Sequence, residues 1–359
     1  MQSFCHAGYV PEAGRPRSGV RGRRSVAGGV LGVGAVLCCA VPASAEVAAA
    51  AAAPTVQCQI TDPRLAEISG LVDVGDGVLA MNDGGEEVAV HLLDPACQVI
   101  DTHTAPVDPY DPEDMAVAAD GTVWLADTGD NAATRTTVAL LAVRPDGTTG
   151  VHRLTYPDGP HDAEALLLAP DGTPYVVTKE VLGASGVYSP TSALVDGGTV
   201  ALAKVASVNM TLTGTPGGPV GRAGQLLVTG GAVSGDGLRL ALRTYTDAYV
   251  WPLAGNDVVG ALSAEPVVIP LPDSPQGEAI TFAADGQSLL VASEGLPSDL
   301  TRVPLTPAAT AAPPAAGESP VPSFADLSSS GLSPWTSALI AAAVATVVLW
   351  IGGMLRRRP

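Results

Sequence analysis

Short apolar runs separated by Gly, Pro, Asp and Asn fill the chain between residues 46 and 305. A turn signal recurs every eight to twelve residues, and the runs between turns alternate apolar and polar side chains or are rich in β-branched residues. No convincing run in this range has the 3.6-residue period of an amphipathic helix. The pattern therefore predicts an all-β domain over residues 46–305.

One unit recurs along this domain: an apolar strand, an Asp-Gly turn, a second apolar strand and then polar residues. The Asp-Gly pairs start at residues 76, 120, 171, 236 and 285, at intervals of 44, 51, 65 and 49 residues. We expect a tight primed turn at each pair, because glycine accepts the positive φ that such turns require. Four strands per unit at this period predict a five-bladed β-propeller. The longest interval leaves room for a sixth blade within residues 206–230, and a β-sandwich is the alternative fold.

The two ends of the domain complement each other. A predicted strand at residues 55–60 precedes the first unit, whereas the fifth unit lacks a fourth strand. Pairing these remnants would close the ring and remove exposed sheet edges. Cys58 and Cys97 are the two cysteines that follow residue 45, so we expect a disulfide that fastens the N-terminal strand to the first unit.

The N-terminus carries an export signal. Residues 1–45 contain five arginines, then a small apolar stretch and the sequence Ala43-Ser44-Ala45, which predicts a signal peptide cleaved before Glu46. The general secretory route is favoured over the twin-arginine route, because bulky apolar residues are missing after Arg23-Arg24. At the other end of the domain, residues 306–334 are rich in Ala, Pro and Ser and predict an extended linker.

A membrane anchor is predicted near the C-terminus. The nineteen residues from Ser337 to Leu355 carry no charge, and a helix of this length spans a bilayer core. We therefore predict a transmembrane helix over 335–355. The basic tail, 356–359, places the C-terminus in the cytoplasm. The expected topology is a single-pass type I anchor in the cell membrane, with the β domain outside the cell.

The charge of the domain limits its partners. Between residues 46 and 334 there are 10 Lys and Arg against 35 Asp and Glu, a net charge of −25, while the whole chain carries −18. Such a surface repels nucleic acid and attracts cations. Solubility outside the cell is the simplest explanation of the acidity, and nucleic acid is excluded as a partner.

Polar residues recur at two places in each unit, the start of its first strand and the end of its second. These two strands are antiparallel and innermost, so both places lie on one face beside the central channel. Seven residues before each Asp-Gly stand Ser69, Glu113, Glu164, Thr229 and Glu278. The side chains expected on this channel face are Glu67, Asp83, Glu113, Asp127, Asp130, Asn131, Arg135, Glu164, Lys179, Glu180, Arg243, Glu278 and Glu294.

A ring of carboxylates suits a hard cation, and calcium takes six to eight oxygen ligands in irregular geometry. Residues 127–131, Asp-Thr-Gly-Asp-Asn, resemble a small oxygen-rich loop. Alternatively, the basic residues of the ring neutralise it or bind an anionic ligand group, and many of the acidic residues cap strands or make Asx turns. The predicted calcium ligands are Asp127, Asp130, Glu113, Glu164 and Glu278.

Catalytic motifs are scarce. The chain contains neither G-x-S-x-G nor H-E-x-x-H. The candidate catalytic residues are Glu164, Glu278 and His161, and His161 stands three residues before Glu164.

Several short motifs resemble those of known secreted propellers. The openings at Glu113, Glu164 and Glu278, each followed two residues later by Met, Leu or Ile, resemble the repeats of the phytase-like group of bacterial propellers with esterase-like activity. The stretch 127–131 together with Arg135 resembles the corresponding stretch of secreted propellers from actinobacteria. The resemblance covers residues 60–305 and implies acidic clusters that hold calcium and phosphate. The domain has only two lysines, which disfavours phosphate esters.

Two functions follow from these patterns. The preferred hypothesis is a surface-displayed binding module for an extracellular ligand or protein, because no recognisable catalytic set accompanies the predicted tether. The alternative is a calcium-dependent hydrolase that acts on phosphate esters, carboxylic esters or lactones through a metal-polarised water.

Overall fold

The computed structural model describes residues 52–311, which form an all-β fold. The predicted signal peptide (1–45), the transmembrane segment (335–355), the basic tail and most of the linker lie outside these residues. No helix in the described part is both long enough and apolar enough to cross a membrane. Ala309, placed in the predicted linker, is buried against the fifth unit together with Val303 and Leu305.

Strands of four to eleven residues dominate residues 52–311, and helices are short and confined to connections. The helices are the 3-10 turns η1 (Pro63–Leu65) and η2 (Gly221–Gln225) and the single α-helix of this part, α1 (Val258–Leu262). The strands are β1 (Thr55–Ile60), β2 (Ile68–Asp73), β3 (Val78–Asn82), β4 (Val88–Leu93), β5 (Val99–Ala105), β6 (Pro112–Val117), β7 (Val123–Asp127), β8 (Val138–Val143), β9 (Thr149–Thr155), β10 (Ala163–Leu168), β11 (Pro174–Thr178), β12 (Ala184–Pro190), β13 (Thr199–Asn209), β14 (Val228–Val233), β15 (Arg239–Thr244), β16 (Asp247–Pro252), β17 (Val267–Pro270), β18 (Gly277–Phe282), β19 (Ser288–Ser293) and β20 (Ser298–Pro304).

These strands fall into runs of four that we number as units. Unit 1 is β2–β5, unit 4 is β14–β17, and unit 5 is β18–β20 completed by β1. Unit 2 (β6–β9) and unit 3 (β10–β13) form one eight-stranded sheet, because their outer strands β9 and β13 pair in parallel. Within each unit, strands adjacent in sequence pair antiparallel, which gives the meander expected from the repeat.

The first strand of each unit is innermost. These strands neighbour one another in the order β2, β6, β10, β14 and β18, and β18 lies beside β2. Five apolar clusters fill the spaces between neighbouring units in this part of the chain, and each cluster draws residues from two units only. The arrangement is propeller-like: sheets radiate from a ring of inner strands, and the apolar core lies between the sheets.

The predicted closure is confirmed. β1 pairs antiparallel with β20, with Thr55 opposite Arg302 and Ile60 opposite Ser298. The Cys58–Cys97 disulfide is also confirmed, and it ties β1 to the connection between β4 and β5 in unit 1. The N-terminal strand therefore belongs to unit 5 by hydrogen bonding and is held to unit 1 by a covalent bond.

The Asp-Gly turns differ from the expected two-residue primed turns. In four units the glycine N–H donates to the carbonyl three residues earlier, and the glycine itself has positive φ, as at Gly121 (φ 84°). This is the geometry of a type I turn followed by a glycine bulge. The aspartate accepts the N–H of the residue after the glycine, as Asp120 does from Thr122 at 2.9 Å. The pair recurs because each member satisfies a different requirement of one turn.

Residues 206–230 do not contain a sixth unit. They hold the end of β13, an irregular segment, η2 and the first residues of β14. The long interval between the third and fourth turns is thus taken up by a connection rather than by a sheet.

A buried carboxylate lies among the inner strands. Asp114 on β6 is 0% exposed and accepts three backbone N–H groups, from Met115 (2.8 Å), Leu166 (2.8 Å) and Gly231 (3.0 Å). The last two donors lie on β10 and β14, so one side chain connects the inner strands of three units. Complete burial raises the pKa of Asp114 well above its usual value, against the effect of the three donors.

We predict that Asp114→Ala destabilises the domain by at least about 3 kcal/mol, because it leaves buried N–H groups without an acceptor. Urea denaturation of the full-length protein measures the loss. Asp120→Ala, which removes a carboxylate from an exposed turn, is the control and should cost less than about 1 kcal/mol. Equal losses in the two variants would contradict the assigned role.

We also predict that replacing both Cys58 and Cys97 by serine lowers the free energy of unfolding by about 2–4 kcal/mol, because the disulfide closes a loop with a sequence separation of 39 residues. The measurement is urea denaturation of oxidised wild type and of the double variant. Reduced wild type should match the variant, and a variant as stable as the oxidised protein would refute the prediction.

Candidate functional site

The first strand of every unit is interrupted by a β-bulge near its start. The register shifts lie between Ile68 and Gly70, Pro112 and Asp114, Ala163 and Ala165, Val228 and Gly230, and Gly277 and Ile280. A bulge leaves a residue outside the ladder and redirects its side chain. The residues left out include Ser69, Glu113, Glu164, Thr229 and Glu278, the set that the repeat spacing singled out, and all five are buried.

Two of these bulge residues join neighbouring units. The Ser69 hydroxyl donates to the carbonyl of Glu113, and the Thr229 hydroxyl donates to the carbonyl of Gly277 at 3.0 Å. In both cases the acceptor lies at the bulge of the next unit. The hydroxyl bulges are therefore structural, whereas Glu113, Glu164 and Glu278 bring carboxylates to the same level of the ring.

An acidic cluster forms where units 2 and 3 meet. Glu113, Asp162 and Glu164 each offer one carboxylate oxygen, and these three oxygens lie within 4.8 Å of one another. The Glu164 side chain is nearly inaccessible, and its Oε2 atom has no hydrogen-bond partner within residues 52–311. This triplet, the acidic cluster, is the one arrangement in the described chain with metal-ligand spacing.

Burial and mutual repulsion disfavour negative charge in the acidic cluster. Burial raises the pKa of Glu113, and the nearby carboxylates of Glu164 and Asp111 raise it further. Burial also raises the pKa of Glu164 and Asp162. Burial and repulsion therefore shift all three groups toward the protonated form, and a bound cation would shift them back toward the carboxylate form.

Lys179 supplies part of the compensating positive charge. Its Nζ atom lies 2.5 Å from Glu164 Oε1 and 5.3 Å from the centre of the Tyr245 ring. Burial disfavours the lysine charge, but Glu164, Tyr245 and Glu278 together outweigh this effect and raise the pKa of Lys179 above its usual value. Lys179 therefore stays charged and binds one oxygen of Glu164, while the other oxygen is buried without a hydrogen-bond partner among the described residues.

A second group of carboxylates belongs to unit 5. Gln276 donates its side-chain N–H to Glu294 and, at 3.4 Å, to Glu278, and the Tyr245 hydroxyl also donates to Glu278 at 3.4 Å. Burial and neighbouring carboxylates raise the pKa of Glu278 to about 7 and that of Glu294 to about 8. The same effects raise the pKa of Asp83, in unit 1, to about 7. All three groups titrate near neutral pH.

The loop at 127–131 supports the acidic cluster from the side. Asp127 accepts the N–H of Asp111 and an Arg135 N–H, each at 2.9 Å, and Asp130 accepts the N–H of Arg135 at 2.7 Å. A side chain at Gly129 would overlap the carboxylates of Glu113 and Asp111, so only glycine allows this close approach. The carboxylates of the loop are thus engaged in holding its shape.

The predicted metal ligands are brought together only in part. Glu113 and Glu164 belong to the acidic cluster, whereas Asp127, Asp130 and Glu278 do not, and Asp162 joins it instead. For Asp127 the reason is that its oxygens already accept N–H groups of Tyr110, Asp111 and Arg135. For Asp130 the reason is that its oxygens accept the backbone N–H groups of Thr134 and Arg135. For Glu278 the reason is that its carboxylate is bound by the side chains of Gln276 and Tyr245.

The remaining predicted channel residues are dispersed. Glu67 and Asn131 are exposed, and Glu180 is partly exposed beside His161, with 3.5 Å between its carboxylate and the ring Nδ1. His161 is not a free loop residue: its Nε2 atom lies 3.0 Å from both Asp158 and the Tyr188 hydroxyl. Arg243 is fully buried between units 4 and 5.

Sequence reasoning missed Asp111, Asp162, Tyr245 and Gln276. A signal for three of them was present, because Asp111, Asp162 and Gln276 each stand two residues before a bulge glutamate. In extended chain, residues two apart point to the same side. Tyr245 had no such signal, since it reaches the site from the turn after β15.

Comparisons with known proteins find only distant similarity. No family model matches the chain, and no curated protein sequence matches it. Among solved structures it is similar to a gluconolactonase from Xanthomonas campestris, with 20% identity over 67% of this chain and 72% of that one, at a TM-score of 0.39. It is also similar to a virginiamycin B lyase from Staphylococcus aureus, with 11% identity over 67% of each chain, at a TM-score of 0.33. A glucose dehydrogenase matches with 11% identity over 71% of this chain and 100% of that one, at a TM-score of 0.38. Scores this low carry no inference about activity.

We predict that the protein loses stability as pH rises from about 5 to about 8 in the absence of divalent cations. The raised pKa values of Asp83, Glu278 and Glu294 mean that the folded state holds more protons than the unfolded state in this range, so raising the pH favours unfolding. Thermal melting at several pH values measures the slope.

Glu278→Gln removes one of these groups and should flatten the slope. Glu265→Gln, at an exposed position, should leave it unchanged. A melting temperature that rises steadily over this pH range, or an identical slope in both variants, would contradict the prediction.

Proposed function

We propose that this chain is an exported, membrane-anchored five-bladed β-propeller that hydrolyses uncharged esters or lactones with the help of a divalent cation. The observation that carries the proposal is the acidic cluster of Glu113, Asp162 and Glu164, in which the buried Oε2 atom of Glu164 has no partner among the described residues. Buried polar atoms in folded proteins are nearly always satisfied, so this atom implies a ligand.

The five-blade count is supported by the closed ring of inner strands and by the five apolar clusters between neighbouring units. Export and anchoring are supported by the sequence of residues 1–45 and 335–355 and by the Cys58–Cys97 disulfide, which suits an oxidising compartment. On this proposal the C-terminus lies in the cytoplasm and the acidic cluster faces the outside of the cell.

The donor set fits a hard cation. All three groups of the acidic cluster are carboxylates, which are the ligands that calcium, magnesium and manganese prefer. A divalent cation would compete with protons for these carboxylates and would bind the unpartnered Oε2 atom of Glu164. Calcium is the ion we favour, because it accepts an irregular set of oxygens.

Such a cation, when bound, would polarise an ester carbonyl and lower the pKa of a bound water. The chain's own groups have separate roles. Lys179 holds Glu164 in place and offsets repulsion between carboxylates. Glu278, whose pKa burial raises to about 7, can accept a proton at neutral pH and is the proposed general base. Tyr245 orients Glu278 through its hydroxyl.

The charge of the site selects the substrate class. The carboxylates of Asp111 and Glu278 act on Glu113, and Asp83 in turn acts on Glu278. Lys179 is already paired with Glu164. A phosphate ester would bring a further negative charge into this field and would be repelled. A neutral carboxylic ester or lactone meets no such barrier, and hydrolysis turns it into an anion that the same field expels.

The test uses the purified full-length protein with calcium, with magnesium or after chelation. At a free calcium concentration about 100 times the dissociation constant, binding should stabilise the fold by about 2.7 kcal/mol. The gain is measured as a higher melting temperature. Glu164→Gln should weaken calcium binding at least about tenfold and abolish turnover of p-nitrophenyl acetate and of a simple lactone, because it removes a charged ligand. Glu265→Gln is the control and should behave as wild type.

Two outcomes would decide against the proposal. The absence of any cation-dependent shift in melting temperature would remove the metal and with it the mechanism. Cation binding without turnover of either ester class would instead support a cation-stabilised module that binds an extracellular ligand or protein.

A further inference from the structure

Two arginines of β15 are buried, but only one has a counter-charge. Arg239 Nη2 lies 3.1 Å from the Asp236 carboxylate. Arg243 lies four residues further along the same strand and is 1% exposed. Within residues 52–311 no carboxylate lies within 4.0 Å of its guanidinium. In a domain with a large excess of acidic residues, an unpaired buried cation requires an explanation.

Part of the Arg243 guanidinium has a structural role. Its Nη1 atom donates to the carbonyls of Ala279 (2.6 Å) and Ala292 (2.8 Å) in unit 5, and so it joins units 4 and 5 at the bulge of β18. The Nε atom has no partner within the described chain. Burial lowers the pKa of Arg243 to about 9, although Glu278 and Tyr245 act in the opposite direction.

The Nη2 atom of the guanidinium packs against Gly277, at the position that a side chain on this residue would occupy. A Cβ atom on Gly277 would overlap Arg243 Nη2 and would lie 2.6 Å from the Ser274 hydroxyl. The Ser274 hydroxyl is buried and has no partner among residues 52–311. A cationic donor and a neutral donor therefore lie close to each other beside Gly277, and only glycine allows the guanidinium this position.

Arg243 and Ser274 both line a cavity of about 420 Å³. Part of its wall is apolar, from Pro272, Pro275 and Leu296, and three carboxylate residues, Asp273, Glu294 and Asp299, also line it. No residue of the acidic cluster lines the cavity. The cavity is formed by unit 5, β1, Arg243 of unit 4 and the connection between β17 and β18, and it shares Glu294 with the second group of carboxylates.

We propose that this cavity binds a small organic monocarboxylate, whose carboxylate group accepts hydrogen bonds from Arg243 Nη2 and the Ser274 hydroxyl. The unpaired guanidinium supplies the counter-charge, since arginine and carboxylate form strong charge-assisted hydrogen bonds. The carboxylates that line the cavity disfavour ions with two or more negative charges. The apolar part of the wall can pack against a short carbon chain. The inference goes beyond the proposed hydrolase and requires no metal.

The experiment is calorimetric titration of the purified full-length protein with sodium acetate and sodium butyrate in the presence of EDTA. Sodium chloride and sodium phosphate at matched ionic strength are the reference titrations. We expect saturable binding of one carboxylate per chain, tighter for butyrate than for acetate, and no comparable binding of chloride or phosphate. Because EDTA is present, failure of the metal proposal would not affect this result.

Two variants locate the binding. Ser274→Ala should weaken butyrate binding by about tenfold, because it removes one hydrogen bond to a charged group. Gly277→Ala should abolish binding, because its methyl group would displace the Nη2 atom that it overlaps. Gly235→Ala is the matched control: it lies in a turn of unit 4 with no atom within 4 Å of the added methyl group, and it should bind as wild type. Circular dichroism checks that each variant is folded.

The proposal is overturned if no carboxylate binds saturably, or if chloride or phosphate binds as well as butyrate. It is also overturned if Ser274→Ala and Gly277→Ala, both folded, bind butyrate with the affinity of wild type.

Discussion

The inner ring depends on a single buried carboxylate and on the bulges beside it. Asp114 accepts N–H groups from β6, β10 and β14, so three units share one acceptor in a place that water does not reach. A bulge at the start of each first strand leaves its backbone groups outside the ladder, and hydroxyls from Ser69 and Thr229 bind carbonyls at these bulges. The channel is therefore held by specific polar bonds, while the apolar clusters between units hold the sheets together.

The same bulges determine where chemistry is possible. A bulge leaves a residue outside the ladder and redirects its side chain, and in units 2, 3 and 5 that residue is a glutamate. Burial then makes negative charge costly, which raises the pKa of these groups and creates a demand for cations. Lys179 meets that demand at one oxygen of Glu164 and leaves the other open. The bulges that join the inner strands therefore also position the side chains of the candidate active site.

Much of this could be predicted from the sequence, because the repeat makes five weak signals reinforce one another. The Asp-Gly turns and the bulge glutamates followed from spacing, the pairing of β1 with the last unit followed from two incomplete ends, and the Cys58–Cys97 bond followed from the two cysteines after residue 45. The use of each carboxylate did not, because it depends on partners from other units. Asp127 and Asp130 look like ligands in the sequence but accept N–H groups of Asp111 and Arg135. Tyr245 reaches the site through the packing of unit 4 against unit 5. The turn type was missed because Asp-Gly fits two hairpin geometries.

The position of β1 has a consequence for how the ring is completed. Gln59 hydrogen-bonds Asp299 across 240 residues of sequence, so the strand that is made first is paired last. Until β20 exists, β1 has an unpaired edge and the ring is an open arc. The Cys58–Cys97 bond can form long before that, and it would keep β1 beside unit 1, where β20 must arrive. The disulfide thus acts as a local tether that replaces a search through the whole chain by a search over a short distance.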